Sequence, residues 1–313
     1  MSSTALPQKH RSQKGARIAS LAATYVVLSI LALIWIIPIV YIILAAFSAT
    51  RNASDEIVGT AQAVQNFFPT AFGIQNFANL FTLTFNGVEY AFLRWMGNTL
   101  LVSVVCCLIS TFLVLSVAYC MSKLRFRMRK PFMKFTMIMG LFPGFMSMIA
   151  IYFLLKSIGL SGNAEHPELS ILGLIISYSA GAGLGFQVAK GFFDVLPNSL
   201  VESAKLDGCS NFKIFLKIIL PLSKPIIIYT MLMAFTGPWM DFIFAKVIIG
   251  STNTAYWTVS VGLYSLLYGE YGRPELFTQF AAGCVMVGIP ITLLFMFLQR
   301  YYVEGVTAGA VKG

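Results

Sequence analysis

Residues 202–225 read ESAKLDGCSNFKIFLKIILPLSKP, a mixture of charge, small residues and a helical apolar stripe set between two long apolar segments. Phe212, Phe215, Leu216 and Ile219 recur at i, i+3, i+4 and i+7, one face of a helix, while Lys213 and Lys217 occupy another. Pro197 precedes the unit, and Pro221 and Pro225 close it. Asp207-Gly208 marks a turn between two short helices. The stretch is therefore a compact helical element. An amphipathic helix resting on lipid headgroups and a docking element for a protein partner both fit that pattern. Its surroundings decide the fold.

Those surroundings are apolar throughout. The chain has 313 residues, 58% of them hydrophobic and only 11% charged, with mean hydropathy +0.79. A water-soluble domain carries about 25% charged residues. In lipid every backbone polar group must be satisfied internally, which leaves helices or closed barrels. The apolar runs are too long and unbroken for the alternating strands of a barrel, so the expected fold is all-α and polytopic. Segments 20–47, 98–121, 132–156, 170–190, 222–249 and 279–301 each reach the roughly 20 apolar residues a span needs. The first follows a basic opening, MSSTALPQKHRSQKGAR, but far exceeds the roughly 7–15-residue core of a signal peptide and reads as a retained span. The organisation is thus a tail (1–19), a six-span domain (20–301) containing the 197–225 loop, and a second tail (302–313). Residues 48–97 form the longest segment between spans.

The formal charge of +10 is distributed by side. Lys9, Arg11, Lys14 and Arg17, then Lys123, Arg125, Arg127, Arg129, Lys130 and Lys134, then Lys190, Lys205, Lys213, Lys217 and Lys224, and finally Arg300 and Lys312 fall on one side of a six-span arrangement. Only Arg51, Arg94, Lys156, Lys246 and Arg273 fall on the other. Cytoplasmic loops carry the Lys/Arg excess, so both termini and the 191–221 loop are expected to be cytoplasmic. The basic surplus is a topology signal rather than a nucleic-acid site.

Catalytic signatures are lacking. GAGLGFQVAKG is glycine-rich but has neither P-loop spacing nor a following Ser/Thr. His10 and His166 stand apart from any nucleophile constellation. Cys106, Cys107, Cys120, Cys209 and Cys284 form no CxxC or Cys/His cluster and read as small packing residues. The expectation is a chain that is not an enzyme and binds no metal or cofactor itself. Pro143-Gly144 and Gly237-Pro238 interrupt the third and fifth spans. Broken helices line pathways in transporters, yet Pro and Gly are also simply commoner in membrane helices. Gly181-x-x-x-Gly185 suggests a close helix contact. Asp241 and Lys246 are charges within the fifth span, about 140° apart around a helix and so poorly placed to pair. Trp239 and Lys246 share a face. The trio reads as an aromatic platform with polar partners lining a pathway, or as a snorkelling lysine beside a packed tryptophan. An ion-driven secondary carrier is the alternative function. Such carriers place several ionisable groups at midplane and show internal repeats, and neither feature is evident.

Glu202-x-Ala204, three residues, Gly208, nine residues, then Ile218-x-Leu220-Pro221 resembles the EAA---G---------I-LP loop of ABC importer permeases, with Ser203 in place of the first alanine. NTLLVS from Asn98, GPWMDFIFAKVIIG (237–250), YWTVSVGLYSL (256–266) and IPITLLFMFLQRYYVEGVTAGAVKG (289–313) resemble the maltose-type carbohydrate permeases. Asp194 departs from the basic or neutral residue many of that family carry. The resemblance implies the type I importer permease fold in a bacterial cytoplasmic membrane. It implies a heterodimer with a second permease, an extracytoplasmic sugar-binding protein, and two cytoplasmic ATPase subunits that use the ATP. Those ATPases would grip the loop through Glu202, Ser203, Ala204, Asp207, Gly208, Phe212, Phe215, Ile218, Leu220 and Pro221, with the GVTAGAVKG tail reaching towards them. A maltodextrin-like oligosaccharide is the implied cargo, and Trp239, Asp241 and Lys246 are the candidates for its path.

Overall fold

The computed structural model describes residues 11–51, 54, 57–59, 67–163, 165–182 and 185–310. The rest of the two tails, including Lys9, His10 and Lys312, lies outside the described residues. Helix α1 (Arg11–Ala46) leads into a small sheet of β1 (Ser48–Arg51), β2 (Ile57–Gly59) and β3 (Ala71–Phe72), then α2 (Gln75–Phe81) and α3 (Ala91–Lys123). There follow α4 (Arg129–Met139), α5 (Gly144–Ser157), α6 (Leu169–Ala182) and α7 (Phe186–Val195). The quoted stretch folds as α8 (Asn198–Leu206), α9 (Asn211–Ile214), a π turn (Phe215–Ile219) and α10 (Leu220–Leu222). Helices α11 (Lys224–Met240), α12 (Ile243–Ile249), α13 (Val259–Leu267) and α14 (Phe277–Ala310) complete the chain.

Arg17–Ala46, Ala91–Lys123, Leu169–Val195 and Pro274–Gln299 are each long and apolar enough to cross a membrane, and two bent helix pairs bring the number to six. That number counts each bent pair as one span, and the second pair joins the Asn211–Leu222 stretch to α11 at 90°, so the third and fifth expected spans both differ in shape from the expectation. The third is not one helix: α4 and α5 meet at 100°. Pro143 caps α5 in an extended conformation, its φ of −60° fixed by the ring. In the fifth, Gly237-Pro238 does not break the helix, which runs on to Met240. The interruption falls later, at Asp241, whose backbone is extended. The outer helices also reach beyond the expected spans, α1 beginning at Arg11 and α14 continuing to Ala310.

Helix α3 is the axis on which two cores are built. At its first end Trp95, Phe85 and Trp257 pack together, the two tryptophan rings 6.0 Å apart. Trp95 Nε1 donates to Thr254 O (2.8 Å), Asn98 Nδ2 to the carbonyls of Ala255 and Trp257 (3.0 Å each), and Val259 N–H to Thr99 Oγ1 (2.8 Å). These bonds satisfy backbone groups of the 254–259 turn that would otherwise be buried without partners. Gly262 of α13 lies so close to the Trp95 ring that a methyl there would overlap it. The sheet sits at the same end, ordered β2-β1-β3 and antiparallel, with Asn76 Nδ2 donating to Ala46 O (3.0 Å) and Ser48 O (2.7 Å). The expected Gly181–Gly185 contact is not seen: a methyl on either glycine would meet no atom of the described residues within 4 Å. Among the described residues the close glycine contacts are instead Gly262 on Trp95, Gly283 on Leu263, Gly173 on Leu160 O and Gly272 on the Leu267–Tyr268 backbone.

The second core surrounds the other end of α3. Leu115, Ala118 and Tyr119 pack with Phe186, Ala189 and Phe193 of α7 and with Val201, Ala204, Ile214, Phe215 and Ile219 of the quoted stretch. The stretch is thus an integral part of the bundle's end.

Candidate functional site

Pro197, its φ fixed by the ring, stands at the corner that opens α8. Helix α8 ends in a Schellman closure: Gly208 N–H donates to Lys205 O and Cys209 N–H to Ala204 O, both at 3.0 Å. Gly208 takes φ = +77°, the left-handed conformation this closure demands. Ser210 Oγ then accepts from Lys213 N–H (3.3 Å) and caps α9. The turn expected at Asp207-Gly208 is present between two helices.

The buried side differs from the expected stripe. Ile214, Phe215 and Ile219 are fully buried and Ile218 half-buried, while Phe212 and Leu216 are exposed. Nearly every position of FKIFLKIIL except the lysines is apolar, so periodicity defines more than one face. Contact with Tyr119 and α7 selects the face, and the π turn shifts the register at residue 215. The outward side consequently presents Glu202, Ser203, Asp207, Gly208, Phe212 and Pro221, together with Leu206 at 90% exposure. Ala204 is turned inward at 5% exposure and Leu220 is half-buried. Leu206, a large apolar residue bared beside a charged turn, was not singled out by periodicity.

The fifth-span trio is dispersed. Asp241 Oδ2 accepts from Tyr178 OH at 2.5 Å, and its Oδ1 accepts from Phe244 N–H (3.1 Å), capping α12. The backbone carbonyl of Asp241 accepts from Ser260 Oγ (2.6 Å). Lys246 lies 4.0 Å over the Trp257 ring and donates to Ser265 Oγ (3.3 Å). Trp239 is buried at 4% exposure, packing on Phe235 5.9 Å away. Trp239 and Lys246 therefore do not form one platform, because the break at Asp241 interrupts the helical repeat that would align them. Asp241 and Lys246 likewise do not pair.

Asp241 does line an open depression of about 390 Å³ with Ser147, Ser177 and Tyr178. Tyr178 also borders a second cavity of about 320 Å³ that holds Ser110, Tyr229 and Thr230. Tyr178 was invisible as a site residue in the sequence. The only signal was a phenol between two serines in an otherwise apolar span. Among the described residues no group of three or more His, Cys, Asp or Glu is arranged to hold a metal ion.

Residues 111–307 match the family described as "Binding-protein-dependent transport system inner membrane component". The chain belongs to this family. It is 30% identical over 300 residues to the maltodextrin transport system permease protein MdxG of Bacillus subtilis (strain 168), covering 95% of this chain and 98% of that protein. It is 31% identical over 298 residues to the galactooligosaccharides transport system permease protein GanQ of the same organism, covering 95% and 97%. Among solved structures, a chain of a bacterial ABC transporter involved in import of the acidic polysaccharide alginate superposes with TM-score 0.74 at 21% identity, covering 95% of this chain and 100% of that one. The fold is that of an ABC-transporter permease in a multi-pass membrane protein.

Proposed function

We propose that this chain is the carbohydrate permease subunit of a binding-protein-dependent ABC importer, and that its cargo is a maltodextrin-like oligosaccharide. The relatives named for maltodextrin and galactooligosaccharide transport support the sugar class. The observation that carries the mechanism is the α8–α10 loop: one face is fixed to α3 and α7, and the other bares Glu202, Asp207, Gly208, Leu206 and Phe212. That bare face docks cytoplasmic ATPase subunits, which hydrolyse ATP while this chain binds none. The Lys/Arg bias supports a cytoplasmic position for both termini and the loop. A second permease completes the pathway, an extracytoplasmic binding protein delivers the sugar, and Asp241 with Tyr178 lines this chain's half of the path.

The ion-driven carrier has less support. Asp241 and Lys246 do not meet, since Asp241 is held by Tyr178 and Phe244 and Lys246 by Trp257 and Ser265, and a carrier needs several ionisable groups gathered at midplane.

The deciding experiment is Glu202→Lys in a reconstituted complex with its partner subunits. The variant is expected to stay in the membrane yet lose ATPase co-purification and uptake of labelled maltotriose. Unchanged co-purification and uptake would show that the loop is not the docking element. Uptake by the purified chain alone, driven by an ion gradient, would establish the carrier instead.

A further inference from the structure

The last turns of α3 reach both the end of α7 and the α8–α10 loop. Ser122 Oγ donates to Asp194 Oδ1 (2.6 Å), and Lys190 Nζ donates to Asp194 Oδ2 (2.5 Å). Lys123 Nζ donates both to Leu196 O (2.6 Å) and to Asn198 Oδ1 (3.1 Å). Tyr119 OH donates to Asn211 O (3.2 Å), and its ring lies 5.1 Å from that of Phe215. Asp194 also faces Lys123 and Arg129 at longer range. Sequence alone assigned Lys123 only a share of the topological charge and gave Asp194 no role.

Lys123 is 9% exposed. Lysine is almost never so buried unless its ammonium donors are used. Its two acceptors are informative. Leu196 caps the end of α7, where carbonyls lack helical partners and a cation is favoured. Asn198 is the first residue of α8. The ammonium therefore bridges the corner at Pro197, holding the element before it and the element after it to the same point on α3. Proline fixes its own φ, so this bridge removes much of the freedom the corner retains. Val201 and Ala204 of α8 also pack in the apolar core, through contacts that are non-directional. At the opposite end of α3, Trp95, Asn98 and Thr99 are bonded to residues 254–259. Helix α3 is a strut fastened at both ends.

We infer that Lys123, set in place with Ser122 and Asp194, is a positioning residue that locks α8 to α3, so that movement imposed on the loop is delivered along α3 to the far end of the bundle. The inference rests on the loop being the ATPase-docking element. Its role is to convert hydrolysis into transport rather than to secure docking.

The test compares Lys123→Met with Lys123→Arg in proteoliposomes holding the full complex and binding protein, measuring maltotriose imported per ATP hydrolysed. Lys123→Met is expected to keep ATPase co-purification while this ratio falls about tenfold, the scale of one charge-assisted hydrogen bond. Lys123→Arg, which keeps the charge, is expected to restore most of the ratio. An unchanged ratio in Lys123→Met, or a parallel fall of complex yield, hydrolysis and uptake that leaves the ratio intact, overturns the inference. Failure of the docking reading would show differently, as wild-type uptake independent of ATP or a wild-type chain that captures no ATPase. The lock is then read from amide hydrogen exchange on the full chain in lipid nanodiscs. Residues 198–206 should exchange about tenfold faster in Lys123→Met but not in Lys123→Arg. Equal exchange in the two variants overturns it.

Discussion

Gly208 separates two ways in which the loop could depend on a small residue. Its φ is +77°, and a Cβ placed there meets nothing within 4 Å among the described residues. Within the subunit the constraint is therefore backbone conformation, not space. An L-residue in the left-handed region costs about 1–2 kcal/mol, asparagine less, and a β-branched residue more. An alanine would thus shift the closed loop's population roughly five- to thirtyfold towards conformations lacking the Gly208 and Cys209 N–H bonds. That is far from enough to unfold a six-span bundle. In a series of Gly208→Asn, Gly208→Ala and Gly208→Val, membrane abundance by immunoblot is expected to stay level. ATP-dependent uptake is expected to rank Asn above Ala above Val, although Asn is bulkier than Ala. An Ala variant that clearly outperforms Asn would refute the backbone argument and locate the constraint in space against a partner.

Three further outcomes are expected. A cysteine at Ser251 should react with an impermeant thiol reagent added outside cells and one at Arg127 should not; reversed labelling would overturn the cytoplasmic placement of the loop. Asp241→Asn preserves an acceptor for the Phe244 N–H but loses the charged bond to Tyr178, so uptake should fall roughly ten- to 150-fold with assembly intact, given roughly 1.5–3 kcal/mol for such a bond. Normal transport by that variant would reduce Asp241 to a helix cap. Gly262→Ala drives a methyl into the Trp95 ring and should destabilise the detergent-solubilised chain by about 1–3 kcal/mol, seen as a lower thermal aggregation temperature. An unchanged temperature would mean that the contact relaxes without strain.

The positions of the spans were legible because a segment crossing lipid needs a long apolar run whatever it packs against. Their bends were less so. Two proline-glycine pairs of similar appearance behaved differently: Pro143 stands at a 100° bend, while Pro238 sits within a continuing helix. A proline weakens a helix locally, and its neighbours determine whether the chain turns there. The Trp239–Lys246 face failed for the same reason, since a repeat of 3.6 residues carries no phase across the break at Asp241.

By itself the sequence determined the membrane class, the six apolar segments and the turn at Asp207-Gly208. Each follows from local chemistry: hydropathy over about 20 residues, or a glycine where the backbone must turn left-handed. The tertiary structure decided which face of the loop is buried, where Asp241 and Lys246 find partners, and that Lys123 meets both sides of the Pro197 corner. Those outcomes depend on groups distant in sequence. In so apolar a chain many faces are equally greasy, and only the approach of α3 and α7 distinguishes the one that packs from the one left bare.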